Sequence, residues 1–303
     1  MNAHEIQKGL RLQGAGFLPD GRVALVGLDR SALKRKHFDA QVLVQGGKAF
    51  ELRSVLPMQV VGVAVDSDVV TLVGRDGAVA RCDATQTVKE VIGRSARQVV
   101  GVSRLGHQLC AFGAGPTIAL RHVEGWSDWT QGLKPLPVAG LSVAHRIKAG
   151  LQANRTVTGV AGTVKTAHAV GLDGFLAYRG PKGWLPVNLG RRGGLHGVAA
   201  DGTGRFYVAG DGVLLHGSKS RWKPVIEDEH AHFGPLAVHD RTLYAVRDGE
   251  LQLLRNGFLT PVPLGAVAAK SGVEFLVAAS RGLLVGGPDH LTALIDGRWR
   301  SLV

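Results

Sequence analysis

Apolar residues along this chain come in short runs broken by two- or three-residue polar turns, and the arrangement recurs. Residues 59–74 read Q-V-V-G-V-A-V-D-S-D-V-V-T-L-V-G, and residues 98–113 read Q-V-V-G-V-S-R-L-G-H-Q-L-C-A-F-G. The phrase returns as T-V-T-G-V-A-G-T-V-K-T-A-H-A-V-G ending at Gly171 and as L-H-G-V-A-A-D-G-T-G-R-F-Y-V-A-G ending at Gly210. Looser copies end at Gly27, Arg247 and Ser280. Each copy predicts a strand, a tight turn and a second strand, since short apolar runs bounded by Gly, Asp or Ser suit a sheet.

The ends of the phrase are separated by 47, 39, 58, 39, 37 and 33 residues. A four-stranded propeller blade takes about 40–45 residues, so these spacings fit blades with insertions in the first and third intervals. A turn follows each anchor: Arg75-Asp76-Gly77, Leu172-Asp173-Gly174, Asp211-Gly212, Arg247-Asp248-Gly249 and Arg281-Gly282. Asp-Gly favours type I′ hairpins, which need positive φ at both central positions. A third apolar run comes next, and then an aromatic that opens a fourth: Phe50, Trp126 or Trp129, Trp184, Trp222, Phe258 and Trp299. Such rings are expected to fill the space between adjacent blades.

These observations predict an all-β fold, a seven-bladed propeller of four-stranded antiparallel blades, forming a single domain over residues 1–303. Closure hides the edges that an open stack would expose. The first inner strand is expected near 14–18, with the chain closing at a blade boundary or with 6–12 completing the last blade. Six or eight blades stay open, because the 58-residue interval has room for a degenerate unit.

The pattern resembles the superfamily of WD-repeat, kelch and Asp-box (BNR) propellers, and the late W-x-x-V strand is nearest the Asp-box type. No copy keeps S-x-D-x-G-x-x-W, and no Trp-Asp pair ends each blade. The resemblance therefore implies the fold and carries over no functional residue.

Composition agrees with many short strands and tight turns: 45% hydrophobic residues, 6% aromatics and 43 glycines. The N-terminus has no run long enough for a signal peptide, and no stretch reaches the ~18 apolar residues of a membrane span. Two cysteines, Cys82 and Cys110, are expected as buried free thiols. The expectation is a cytoplasmic protein, monomeric on its own and not associated with membrane.

The inner strands anticipated from the phrase are Gly62-Val63-Ala64, Gly101-Val102-Ser103, Gly159-Val160-Ala161, Gly197-Val198-Ala199, Leu236-Ala237-Val238 and Val267-Ala268-Ala269. They hold no Asp, Glu, His, Arg or Tyr, whereas general acid–base chemistry needs a positioned titratable group. No catalytic residue and no cofactor is assigned. A hydrolase or lyase would need a site built from loops at the channel mouth. Asp173, Asp211 and Asp248 are already accounted for by their turns.

The densest metal-capable stretch is Glu227-Asp228-Glu229-His230-Ala231-His232, read as a solvated acidic loop and not as a metal site. His168, His196 and His216 read as single packed or surface residues. Gly190–Gly194 and Val285–Gly287 match no phosphate-binding fingerprint and are read as turns.

The formal charge of +12 bears on partners more than on fold. Turns between second and third strands, and connections to the next blade, leave a propeller on one face. That face is expected to gather Arg30 together with the candidate binding residues Lys34, Arg35, Lys36, Arg75, Arg94, Arg97, Arg146, Lys148, Arg155, Arg191, Arg192, Arg247 and Arg281. Both insertions, 28–39 and 133–156, fall there too. Lys165, Arg205, Lys219, Arg221, Lys223, Arg241, Arg255 and Arg298 fall opposite, so the bias is partial.

The expected function is a non-enzymatic scaffold that binds an acidic protein partner through this face. A bacterial accessory or immunity protein neutralising a toxin or effector is one specialisation. A nucleic-acid-binding propeller is the alternative, although few exposed aromatics accompany the arginines.

Overall fold

The repeated phrase folds as antiparallel hairpins arranged around an axis. The computed structural model describes residues 1–93, 98–115, 117–133 and 156–303. The first repeat holds β1 (Leu10–Phe17), β2 (Val23–Asp29), β3 (Asp39–Gly46) and β4 (Ala49–Pro57) in one sheet. The second holds β5 (Val60–Asp66), β6 (Val69–Gly74), β7 (Ala78–Cys82) and β8 (Thr87–Val91). The third holds β9 (Val99–Leu105), β10 (Gln108–Gly113), β11 (Ile118–His122) and β12 (Gly125–Asp128). The fourth holds β13 (Val157–Ala161), β14 (His168–Gly171), β15 (Phe175–Gly180) and β16 (Gly183–Val187).

The fifth and sixth repeats depart from the expected layout. β17 (Leu195–Ala200), β18 (Phe206–Ser218), β19 (Arg221–His239), β20 (Thr242–Arg247), β21 (Glu250–Arg255) and β22 (Phe258–Pro261) form one six-stranded sheet. The expectation of seven separate blades is thus corrected: the ladders of the described residues make six sheets. The cause is β19, which carries no positive-φ residue from its pairing with β18 into the next ladder and pairs His232 with Asp211. β18 pairs with β17 through 206–210 and with β19 through 213–218, while β19 runs on from that pairing into its ladder with β20. The acidic stretch 227–232, read from sequence as a loop, lies inside this 19-residue strand.

The seventh repeat carries a second correction. Val267-Ala268-Ala269 is not an inner strand but part of a helix, Ala266–Ser271, bracketed by Gly265 and Gly272 at positive φ. An Ala-rich run between two glycines satisfies helix propensity, which the apolar pattern alone does not reveal. The inner strand is β23 (Phe275–Ala279), followed by β24 (Gly282–Gly287), β25 (His290–Ile295) and β26 (Arg298–Ser301). The phrase therefore ends at Gly287, 40 residues beyond Arg247, in keeping with the other repeats.

Register explains why the phrase contains its first glycine. The inner strands β1, β5, β13 and β17 each slip register just before it, between Leu12 and Gly14, Val60 and Gly62, Val157 and Gly159, and Leu195 and Gly197. A bulge of this kind adds one residue and re-aims its side chain. The glycine after it lets neighbouring inner strands approach closely. A Cβ at Gly62 would lie 2.7 Å from the Val102 nitrogen, and one at Gly197 would strike the Gly234 carbonyl.

Among the described residues seven apolar clusters fill the spaces between successive repeats around the ring. One joins the seventh repeat to the first through Leu284, Leu291 and Val303 against Leu10, Leu25 and Ile6, the last on an N-terminal helix, Ala3–Gly9. Ring closure thus falls at a repeat boundary, with β1 innermost and β26 outermost. Each buried aliphatic side chain contributes about 1.5–3 kcal/mol over leaving it exposed.

The aromatics of the fourth strands do not all serve this packing. Trp184 is buried edge-on against Trp129 at 5.0 Å, and its indole N–H donates to the Trp129 carbonyl at 2.7 Å. Phe258, by contrast, is 75% exposed. Cys82 and Cys110 are both free and buried, and burial pushes the Cys110 thiol well above its ordinary value.

Candidate functional site

A central cavity of about 430 Å³ is lined by segments of β1, β5, β9, β13, β17, β19 and β23. Its lining is aliphatic or small apart from Phe17, Ser103 and Arg104. Arg104 is held at one mouth by an ion pair to Asp66 at 3.0 Å and a bond to the Val65 carbonyl at 3.3 Å. One tethered guanidinium and one hydroxyl make no acid–base pair.

The end of the ring that carries the 28–39 segment presents more chemistry. A short helix, Arg30–Lys34, is capped by Asp29, whose carboxylate accepts from the Ser31 and Ala32 N–H groups. It leaves Lys34, Arg35 and Lys36 exposed in sequence. Arg30 is not part of that display. It donates to the Leu10 carbonyl at 2.8 Å and pairs with Asp289, locking the first repeat to the seventh.

Arg75, Arg191, Arg192 and Arg247 also emerge on this face, at turns after second strands or at connections between repeats. Arg75 and Arg192 are exposed. Arg191 is paired with Glu227 at 2.9 Å, and Arg247 with Asp228, with its guanidinium 5.9 Å from the Phe233 ring centre. Arg94, Arg97, Arg146, Lys148 and Arg155 lie outside the described residues. Arg281 lies on the opposite face: it precedes β24, and its guanidinium donates to the Pro19 carbonyl at 2.7 Å in the turn between β1 and β2. That follows from the one-strand shift of the seventh repeat.

Sequence reading scatters three residues that folding brings together on the insertion face: His196, Asp211 and His232. His196 occupies the bulge of β17, and Asp211 lies inside β18, between the Gly210 that closes the phrase and Gly212 at positive φ. His232 sits where β19 crosses into the sixth repeat and is paired in register with Asp211. His196 Nε2 lies 3.0 Å, and His232 Nδ1 2.9 Å, from the same carboxylate oxygen, Oδ1. The other oxygen accepts the Gly194 N–H at 2.8 Å. Burial pushes the Asp211 carboxyl up, but hydrogen bonds from His196, Gly194 and His232 outweigh it and hold the group below its ordinary value.

The two-apart spacing of His230 and His232 does not place them in one site. His230 is 90% exposed at its side chain and lies beside Glu229, whereas His232 turns to Asp211. Alignment of the repeats does carry a signal for the cluster. His196 precedes the bulge glycine and Asp211 follows the closing one, and the register Leu195↔Gly210 sets these two positions at one end of the hairpin.

The described residues define the class: a β-propeller built of antiparallel sheets, mostly four-stranded. A scan against protein families finds no match, and no curated protein matches the chain in sequence. Solved structures do. The extracellular domain of the hybrid two-component system BT4673 from B. thetaiotaomicron superposes with a TM-score of 0.69 at 11% identity, over 94% of this chain. This chain spans 38% of that one. Cps50 (Swd1) from Myceliophteria thermophila gives 0.66 at 12% identity, covering 96% of this chain and 99% of its own. YCF48 bound to D1 peptide gives 0.65 at 14%, covering 93% and 90%. At these identities the similarity is one of fold. Among the described residues no helix is long and apolar enough to cross a membrane.

Proposed function

We propose that this chain is a non-enzymatic, single-domain propeller scaffold that binds an acidic protein through the face bearing Lys34, Arg35, Lys36, Arg75 and Arg192. In this reading the six-stranded sheet acts as two blades joined edge to edge, giving seven units around the axis. The observation that carries the proposal is a contrast: the hub is aliphatic, while three consecutive cations stand exposed at the C-terminal end of a short capped helix. Arg94, Arg97, Arg146, Lys148 and Arg155 add to the same charge in sequence. Rim charges act mainly on the rate and specificity of encounter. That YCF48 has been solved with a peptide bound supports this fold as a peptide-holding scaffold. A cytoplasmic bacterial accessory or immunity protein that holds an acidic toxin or effector is the specialisation we favour, on charge complementarity.

The test is cross-linking and co-purification from the native host with the full chain and with a Lys34→Glu/Arg35→Glu/Lys36→Glu variant. Recovery of an acidic protein that the variant loses supports the proposal. Recovery of nucleic acid instead, with binding that collapses between about 50 and 200 mM salt, replaces it with the nucleic-acid reading. Equal recovery by both chains refutes the assigned face.

A further inference from the structure

The structure assigns a site for a first-row divalent metal ion, zinc foremost, to His196, Asp211 and His232. The inference is independent of the partner reading, because it rests on three ligand atoms and not on surface charge.

Those atoms, His196 Nε2, His232 Nδ1 and an Asp211 carboxylate oxygen, all lie within 4.8 Å of one another. Two of the three separations are 2.9 and 3.0 Å. Ligands about 2.0–2.2 Å from a tetrahedral zinc sit roughly 3.3 Å apart, so these two separations need open by only a few tenths of an ångström, with the two imidazoles, their rings 4.6 Å apart, adjusting about the ion. In its absence each imidazole can donate a proton to the shared oxygen. The cation would take the place of both, each ligating nitrogen giving up its proton to the ring's other nitrogen by tautomer change, or to solvent where the ring is charged.

The donor set is chemically selective. Two imidazoles and one carboxylate suit zinc, iron or cobalt in the divalent state, whereas calcium and magnesium favour all-oxygen shells. Three protein ligands leave a fourth coordination position open to water or to a donor atom of a bound molecule. The side chains of His232 and Asp211 are 60% and 49% exposed, so that position opens on the insertion face.

Three features of the surroundings suit a cation. The Gly194 N–H fixes the carboxylate from behind, an outer-shell contact of the kind that orients metal ligands. A Cβ at Gly194 would lie 2.8 Å from His196 Cε1 and 3.1 Å from Asp211 Oδ2, so the backbone itself walls one side. The two nearby guanidiniums are already neutralised, Arg191 by Glu227 and Arg247 by Asp228. His196 itself stands at the register shift between Leu195 and Gly197, where a bulge re-aims a side chain.

Titrating the full metal-free chain with zinc by calorimetry, and with cobalt by its tetrahedral visible bands, tests the assignment. One equivalent bound with a Kd of about 10 µM or tighter is expected, along with the cobalt bands. Histidine number alone does not predict this, so His230→Ala is the control and should bind as the parent does. His232→Ala should weaken binding at least about 100-fold, and Asp211→Asn should abolish the cobalt bands. His232 is exposed enough for its variant to fold, which an unchanged unfolding midpoint without metal would check. Absence of a saturable equivalent at that concentration, undiminished binding by His232→Ala, or loss of binding in His230→Ala would each overturn the site.

Discussion

His168 ties the fourth repeat to the fifth and should make the fold acid-sensitive in a defined window. It lies buried on β14, with Nδ1 3.0 Å from the Thr166 carbonyl and Nε2 3.0 Å from the Lys219 N–H of the next repeat. Donating at one nitrogen and accepting at the other requires a neutral ring. Phe206 stacks 3.9 Å away, and Trp222 and Tyr178 close the pocket. Burial pushes the imidazole down from 6.5 to about 4, against a smaller opposing contribution from the Thr166 bond.

The direction follows from linkage. Between about pH 6.5 and 4 the unfolded chain carries a proton on this ring and the folded chain does not. Stability therefore rises with pH across that window and is lost as pH falls through it. At about 1.4 kcal/mol per unit, acidification from pH 8 to 4.5 should cost roughly 2–3 kcal/mol from this residue alone. His168→Phe keeps the ring packing, removes the titration and strands two backbone groups, a loss of about 1–3 kcal/mol at pH 8. Urea unfolding of both chains at pH 8 and pH 4.5 measures the gap between them. It should shrink, or change sign, by about 2–3 kcal/mol on acidification. A gap constant within about 0.5 kcal/mol would refute the neutral-ring assignment.

Three further outcomes follow from the packing between repeats. Glu90 on β8 accepts from Arg121 at 2.8 and 3.0 Å and from the Trp126 indole at 3.0 Å. The Arg121 bonds hold its carboxyl below the ordinary range against the opposing effect of burial, with the Arg121 and Arg81 charges and Trp126 adding to the lowering. Glu90→Gln should cost about 2–3 kcal/mol near neutral pH by urea unfolding, with the difference fading as pH falls from the ordinary carboxylate range through that lowered value. Trp184→Ala should cost about 3–5 kcal/mol, and Trp184→Phe about 1–3 kcal/mol from the stranded Trp129 carbonyl, read from unfolding midpoints. Gly197→Ala should cost about 1–3 kcal/mol because rigid backbone at Gly234 blocks the added carbon. Gly93→Ala, which meets nothing within 4 Å, should be close to neutral in the same measurement.

The sequence alone determined the unit of this protein, since a hairpin is local. The apolar runs around Asp173-Gly174 and Asp248-Gly249 pair with each other, and positive φ at Asp173, Gly174, Asp248 and Gly249 bears out those turns. Runs that local reasoning cannot distinguish were decided otherwise. Val267–Ala269 became helix, and that displaced Arg281 to the far face. The unbroken path of β19 is likewise tertiary, because whether a polar stretch loops out or stays extended depends on what it pairs with, here Asp211 against His232. The same pairing assembled His196, Asp211 and His232 from positions up to 36 residues apart. A bulge and a crossing strand bring their ligand atoms together, and such convergence across strands is set by tertiary register, which no single window of sequence contains.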